Sequence, residues 1–179
     1  MFNVSGNTRV IESMNLISLS MLKLIRLKHY PDISIVEICE DCGVSRKTFY
    51  RNFDTKEDII NYILYRKMSE IIDQINLAVD DNDFFRRFME YWKNEDALIS
   101  MLYHNNLWDM FTYCLTVFID LMKLQEPALN HISNPEILAE YYYPLYASIL
   151  ATLVKNWTKR KHSESIDQLY LVYHELLTQ

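Results

Sequence analysis

The sequence predicts an all-α fold of about nine helices, and three observations support this prediction. Only two glycines and four prolines occur in 179 residues, so the chain has few of the residues that form turns. Apolar residues recur three or four positions apart, which is the helical period. Capping residues, most often Ser, Thr, Asn or Asp, stand where these periodic segments begin. The pattern is typical of long helices with short connections.

Three helices are predicted in the N-terminal part of the chain. The first begins at Asn7 or Thr8 and runs to about Lys28, and Tyr30-Pro31 ends it because a residue that precedes proline avoids helical dihedral angles. Ser34 followed by Glu37 fits a capping box and begins the second helix, which Gly43 ends. Ser45 is placed to cap the third helix, which spans 46–53.

The rest of the chain predicts six more helices. Thr55 with Asp58 forms a second capping box at the start of a long connecting helix. Asn134 precedes a proline and an acid, which is a helix start signal. Ser163 or Ser165 caps the last helix. The predicted spans are 56–79, 84–93, about 95–103, 106–125, 135–161 with a kink at Pro144, and a last helix that ends near 177.

The segment from Ser34 to Asp58 has the layout of a helix-turn-helix. Two short helices are joined at a glycine, and the second carries Arg and Lys residues that do not fit an apolar stripe. Val44, Phe49 and Phe53 supply its inward face. This motif predicts binding to the major groove of DNA.

The residues of this segment also resemble a known family. The runs ICEDCGVS (38–45) and TFYRNF (48–53), followed by Lys56-Glu57, resemble the DNA-binding domain of the tetracycline-repressor (TetR) family over about fifty residues. Three departures stand out: LKHYPDI has no glycine between the first two helices, Asn52 replaces a common histidine, and Cys39 and Cys42 replace small residues.

The motif and the resemblance together imply a set of DNA-binding residues. Arg46 and Lys47, at the start of the second short helix, would reach guanine acceptors in the major groove. The resemblance implies that the hydroxyls of Thr48 and Tyr50 contact phosphates, and Ser34 and Lys56 would hold the flanking phosphates at two helix starts. Arg51 either joins this surface or is an ordinary solvated charge. The complete predicted set is Ser34, Ser45, Arg46, Lys47, Thr48, Tyr50, Arg51, Asn52 and Lys56.

The charge distribution agrees with DNA binding once it is divided by position. The chain carries a net charge of −6. Residues 1–60 hold eight basic and eight acidic side chains, so the whole deficit lies beyond them. Within 45–56, four basic side chains face only Asp54. A local basic patch is sufficient to bind phosphates, and the acidic remainder is repelled from DNA.

The last two predicted helices are apolar on more than one face, so they must pack against more than one partner. The resemblance implies that these helices form a four-helix interface between two subunits, and the alternative is that they are simply intramolecular core. The residues predicted at a dimer interface are Ile149, Leu153, Trp157, Leu169 and Tyr173.

Aromatic and Met residues at helical spacing fill the middle of the chain. Such stripes are usually core, and in a helical sensor domain they can also line an apolar pocket for an aromatic or apolar effector. The candidate pocket residues are Phe88, Trp92, Met101, Tyr103, Trp108, Phe111, Tyr142 and Tyr146.

Other classes of function find little support in the sequence. Cys39 and Cys42 have the spacing of a metal or redox pair, but no histidine is near them in sequence, so we expect no metal and no cofactor. No catalytic motif occurs, which predicts that the chain is not an enzyme. Three cysteines without a secretory signal, and no membrane span, predict a cytoplasmic protein.

The sequence therefore predicts a DNA-binding domain at 1–56 and a dimerisation and effector domain at 57–179. The predicted function is that of a homodimeric transcriptional repressor, which a small-molecule effector releases from a double-stranded DNA operator. The alternative is a protein of the same fold that has no ligand regulation and acts through a protein partner.

Overall fold

The structure is a computed structural model that describes residues 8–75, 80–122 and 134–177. Within these ranges all regular structure is helical and no strand occurs, which confirms the all-α prediction. The chain divides into two compact units, Met1–Lys67 and Met68–Gln179. The division falls after Lys67 instead of after residue 56, so the first turns of the long helix belong to the first unit.

The first unit contains three complete helices and the start of a fourth. The connection between the first two holds a short 3-10 turn, with Pro31 at its start. Thr55 and Asp58 form the predicted reciprocal cap, since the Asp58 carboxylate accepts from Thr55 N at 2.8 Å and Asp58 N donates to Thr55 Oγ1 at 3.2 Å. The elements are α1 Thr8–Leu24, the 3-10 turn Tyr30–Asp32, α2 Ile35–Cys42, α3 Arg46–Asn52 and α4 Lys56–Ile75.

The core of the first unit lies between α1, α2, α3 and the start of α4. α1 places four apolar side chains on its buried face, because Met14, Ile17, Met21 and Leu24 recur every three or four residues. α3 contributes Phe49, which is completely buried. Each such side chain contributes roughly 1.5–3 kcal/mol by leaving water. The motif helices are thus held on a packed base.

The regular structure of the second unit is also entirely helical within its described residues. Asp80 caps its first helix by accepting from Asp83 N at 2.8 Å. The structure describes the long connecting helix as far as Ile75, and the helix that begins at Trp108 as far as Met122. The predicted helix parts at 76–79 and 123–125 lie outside the described residues. The elements are α5 Asp81–Asn94, α6 Asp96–His104, α7 Trp108–Met122, the single turn α8 Pro135–Ile137, α9 Tyr143–Lys159 and α10 Ile166–Leu177.

The predicted helix 135–161 is interrupted near Pro144. A π-helical turn at Leu138–Tyr142 separates α8 from α9. Proline has no N–H, so Pro144 cannot donate to the carbonyl of Glu140, and a wide turn accommodates the missing bond. Of the two candidate caps for the last helix, the structure selects Ser165, whose Oγ accepts from Gln168 N at 3.2 Å.

α9 is the central element of the second unit, packing against α5, α6, α7 and α10. One face of α9 is continuously buried, including Tyr146, Ala147, Leu150 and Val154. Tyr146 and Tyr173 share a buried hydroxyl–hydroxyl hydrogen bond of 2.5 Å, and Tyr173 also donates to Asp81 Oδ1 at 3.0 Å. These bonds fix α10 to α9 and to the start of α5. Among the described helices, none has the length and apolar content that crossing a membrane requires.

Candidate nucleic-acid interface

The turn of the helix-turn-helix is built by Gly43. Its φ of 67° lies in the left-handed region, and Val44 N donates to Cys39 O at 3.1 Å, as at a Schellman-type helix end. A Cβ added at Gly43 would meet no atom within 4 Å. The backbone conformation, and not a lack of space, is therefore the reason for glycine here.

Both short helices have the predicted N-caps. Ser34 Oγ accepts from Glu37 N at 3.2 Å, and Ser45 Oγ accepts from Thr48 N at 3.1 Å. The hydroxyl of Thr48 also lies 3.0 Å from that of Ser45. These two hydroxyls at the start of α3 are thus oriented by each other.

The inner face of α3 fixes the helix to its unit. Phe49 and Phe53 are buried, and the Phe53 ring packs against Tyr62 with centroids 5.8 Å apart. Asn52, predicted as a DNA-binding residue, donates from Nδ2 to Ser13 Oγ at 2.8 Å. The amide of Asn52 thus links the end of α3 to α1.

The outer face of α3 is basic and open. Arg46, Lys47 and Arg51 are exposed, and Tyr50 retains 48% of its surface. Among the described residues, the side chains of these three cations form no hydrogen bond and no ion pair. Arg46, Lys47 and Arg51 therefore lie on one exposed basic face of α3, and their contact with DNA stays a prediction.

Two lysines, one in α1 and one in the connection that follows it, neutralise acids on α2. Lys23 pairs with Asp41, and Lys28 Nζ lies 2.5 Å from Glu37 Oε2. The hydrogen bonds from these lysines lower the pKa of both carboxyls. Glu37 therefore does not close the predicted capping box with its side chain. The pairs reduce the negative charge of α2 beside the basic helix.

Lys56 lies in a different environment from the one its predicted phosphate contact requires. Its Nζ donates to Ile33 O at 2.7 Å and to Tyr30 O at 3.1 Å, and Pro31 O is 3.4 Å away. The ammonium also lies 4.6 Å from the centroid of the Tyr30 ring. Next to it, Tyr30 donates its hydroxyl to Glu57 Oε1 at 2.7 Å. Burial and the Glu57 carboxylate raise the pKa of this phenol.

Comparison with known proteins agrees with this geometry. Residues 22–63 match the model of the family described as bacterial regulatory proteins, tetR family. The chain is therefore similar to the tetR family in its helix-turn-helix region, from the end of α1 to the start of α4. It is also 29% identical over 77 residues to the HTH-type transcriptional regulator YxbF of Bacillus subtilis (strain 168). That match takes in 42% of this chain and 20% of the relative, so the chain spans only about a fifth of that protein's length.

Solved structures share the fold along nearly the whole chain. Lin0861 from Listeria innocua is 16% identical, with a TM-score of 0.75 over 97% of this chain and 93% of that one. The dihydroxyacetone kinase operon activator DhaS is 16% identical, with a TM-score of 0.62 over 93% and 94%. The fatty acid degradation regulator FadR from Bacillus halodurans is 18% identical, with a TM-score of 0.57 over 92% and 93%. These likenesses show that the helical fold is shared along nearly the whole chain.

The three cysteines, Cys39, Cys42 and Cys114, are free thiols. Cys42 directs its thiol at Cys39 O, 3.8 Å away. Burial raises the pKa of the Cys39 thiol, which keeps it protonated. Among the described residues, no group of three or more His, Cys, Asp or Glu side chains could hold a metal ion. The absence of bound metal stays a prediction.

The predicted pocket residues fall into two aromatic groups in the second unit. Trp92 packs against Phe111 and Phe88, with centroids 4.7 and 6.4 Å apart, and Trp108 lies 4.9 Å from Phe111. The second group stacks Tyr142 on Tyr146 at 5.8 Å. Met101 is buried, and Tyr103 lies beneath Lys159, 5.3 Å from its ammonium.

The predicted dimer residues are divided between interior and surface. Trp157, Leu169 and Tyr173 are buried inside the second unit, and Trp157 Nε1 donates to Glu164 O at 2.9 Å. These three side chains pack inside the unit and present little surface to a partner, and their place at an interface stays a prediction. Ile149 and Leu153 remain half-buried. Sequence reasoning missed the exposed apolar side chains of the same segment, which are Tyr141, Leu145, Leu171, Val172 and Leu176.

Proposed function

We propose that the chain is a sequence-specific DNA-binding transcriptional regulator that acts as a homodimeric repressor. The observation that carries the proposal is the exposed basic face of α3, on a helix whose opposite face is buried. A helix of this kind enters the major groove, where cations reach guanine O6 and N7.

Each residue of the α3 face has a distinct role in this proposal. Arg46 and Lys47 stand at the N-terminal end of α3, the end that contacts base edges in a helix-turn-helix. The exposed hydroxyl of Tyr50 and the guanidinium of Arg51 serve phosphates on either side. The mutual hydrogen bond of Ser45 and Thr48 leaves both hydroxyls able to accept or donate one more bond.

Dimerisation is supported by the exposed apolar surface of α9 and α10. Leu145 is 62% exposed, and Leu171 and Val172 are 65% and 51% exposed. Large apolar side chains on neighbouring helices are typical of protein–protein contacts. A two-fold pair would present two α3 helices to half-sites one or more helical turns apart.

An effector site is supported by the Trp92 indole. Its ring is buried, yet among the described residues no hydrogen-bond acceptor lies within reach of Nε1. An unsatisfied buried donor costs about 1–3 kcal/mol. An apolar or aromatic effector that carries an acceptor oxygen would satisfy it. Such a ligand releases DNA only if it binds the DNA-incompetent conformation more tightly than the competent one.

The effector proposal is tested by a thermal-shift screen of aromatic carboxylates, ketones and fatty acids. A compound that binds the folded protein raises the melting temperature, by an amount that grows with the logarithm of the ligand excess. Trp92→Phe keeps the ring and removes the donor, so it should weaken the response to acceptor-bearing compounds. An equal response in both proteins would contradict a role for Trp92.

A second function is a TetR-fold protein that acts through a protein partner without ligand regulation. The basic face favours the DNA-binding function, because a protein that no longer bound DNA would not need Arg46, Lys47 and Arg51 on one exposed surface. Selection of bound fragments from a random duplex pool distinguishes the two functions. Enrichment of related sequences supports the regulator.

A further inference from the structure

We infer that Lys56 is a positioning residue of the DNA-binding unit, whose ammonium fixes the α1–α2 connection and so sets where the N-terminus of α2 meets DNA. This inference rests on the proposed function. It replaces the expectation that Lys56 neutralises a phosphate directly.

The hydrogen bonds of Lys56 support a positioning role. An ammonium has three donors, and three carbonyl oxygens lie around this one, those of Tyr30, Pro31 and Ile33, at 3.1, 3.4 and 2.7 Å. The Tyr30 ring covers a further side at 4.6 Å. A phosphate oxygen would have to displace one of these partners.

The location of Lys56 in α4 leads to the same conclusion. Lys56 is the first residue of α4, where the helix dipole disfavours a cation. The carbonyl dipoles of the connection compensate for that position. Glu57, the next residue, accepts from Tyr30. Two successive residues of α4 therefore hold the same 3-10 turn.

The backbone of the connection explains why such support is needed. The connection has no glycine, and its flanking residues His29 and Ile33 are extended, with ψ of 135° and 119°. Its shape therefore depends on side-chain contacts instead of on a residue with unusual dihedral angles. Ile33 is buried, and its carbonyl, which accepts from Lys56, directly precedes the Ser34 cap of α2. Moving this carbonyl would move the start of α2.

The salt dependence of DNA binding separates positioning from direct contact. The logarithm of affinity falls with the logarithm of salt concentration by about 0.9 for each phosphate neutralised. Lys56→Met keeps the aliphatic stem and removes the ammonium. We expect it to weaken binding several-fold on all sequences while the slope stays unchanged. Arg51→Met, on the open face, is the matched control and should lower the slope by about 0.9 if its guanidinium contacts a phosphate.

A second measurement needs no DNA and distinguishes positioning from general stability. In Lys56→Met, hydrogen exchange should lose protection at the amides of Glu37 and Ile38, which bond to Ser34. The amides of Phe49 in α3 and of Phe53, which directly follows α3, should keep their protection from exchange. Equal loss in both helices, or a slope lowered by about 0.9 in Lys56→Met, would overturn the inference.

A failure of the proposed function can be distinguished from a failure of the inference about Lys56. If the unmodified protein binds no duplex, the regulator proposal fails, and the hydrogen-exchange result alone decides the role of Lys56. If Lys56→Met does not fold, Lys56→Gln retains two amide donors for the carbonyls and is measured in the same way. A slope reduced by about 0.9 in that variant contradicts positioning equally.

Discussion

The side-chain amide of Asn52 donates to Ser13 Oγ at 2.8 Å, and Ser13 in turn donates to Val10 O at 2.9 Å. This chain of two hydrogen bonds joins the last residue of α3 to α1. Asn52 was predicted to contact DNA, at a position where TetR relatives commonly carry histidine. In this structure the Asn52 amide forms a hydrogen bond inside the first unit.

Asn52→Ala should therefore lower stability more than it alters DNA recognition. Losing one partly buried hydrogen bond costs about 0.5–1.5 kcal/mol. Arg51→Ala is the neighbouring control, and its free energy of unfolding should stay within about 0.5 kcal/mol of the unmodified value because the side chain is exposed. Urea unfolding measures both. An unchanged stability together with an altered base preference in Asn52→Ala would show that the amide contacts DNA instead.

Arg46→Ala and Lys47→Ala should relax base preference. A lost bidentate contact costs about 1–3 kcal/mol at the preferred site and little at unrelated sites.

Tyr50→Phe should instead weaken binding to all sequences alike, since a phosphate contact carries no sequence information. Affinities for the preferred duplex and for a scrambled duplex, at one salt concentration, give the comparison. Equal losses on both duplexes for Arg46→Ala and Lys47→Ala would contradict base reading by these residues.

The unmodified protein should sediment as a dimer of twice its 21.5 kDa chain mass. Leu145→Glu and Val172→Glu place charges on the exposed faces of α9 and α10, so in a dimer they bury unpaired charge and should shift the population to monomers. Leu19→Glu is the matched control, because Leu19 is equally exposed, at 63%, but lies on α1. A monomer in the unmodified protein, or equal effects of all three variants, would refute this interface.

The buried Tyr173 hydroxyl predicts a loss of stability at high pH. Burial and the neighbouring Tyr146 and Asp81 raise the pKa of Tyr173 above its ordinary 10.0. Above about pH 10 the unfolded chain loses this proton while the folded chain keeps it, so the contribution is complete below pH 10 and declines as pH rises. Tyr173→Phe should lower stability at pH 7 and flatten the decline above pH 10. An identical pH dependence in both proteins would contradict the raised pKa.

Local interactions were the part of this structure that could be predicted from sequence. Each of four helix caps accepts a hydrogen bond from the backbone N–H three residues later, and these caps are Ser34, Ser45, Asp80 and Ser165. Such bonds depend on residue type and spacing alone. The same holds for the left-handed turn at Gly43 and for the basic face of α3, which the motif pattern places on one side of a short helix.

Contacts between distant segments could not be predicted in this way. Lys56 and Ile33 are 23 residues apart, Asn52 and Ser13 are 39 apart, and Tyr173 and Asp81 are 92 apart. Each pairing depends on how helices pack, which periodicity does not specify. For the same reason the sequence showed that α9 and α10 are apolar but could not decide which side faces the interior. Trp157 and Tyr173, which the sequence places at an interface, are buried inside the second unit.

Binding of the unmodified protein to random-sequence duplexes at low salt tests the central claim most directly. A repressor of this kind should enrich fragments that contain two related half-sites in two-fold symmetry, with affinity that falls as salt rises. Removing both Arg46 and Lys47 should abolish the enrichment while the protein stays folded. Failure of the unmodified protein to bind any duplex at low salt would contradict the claim.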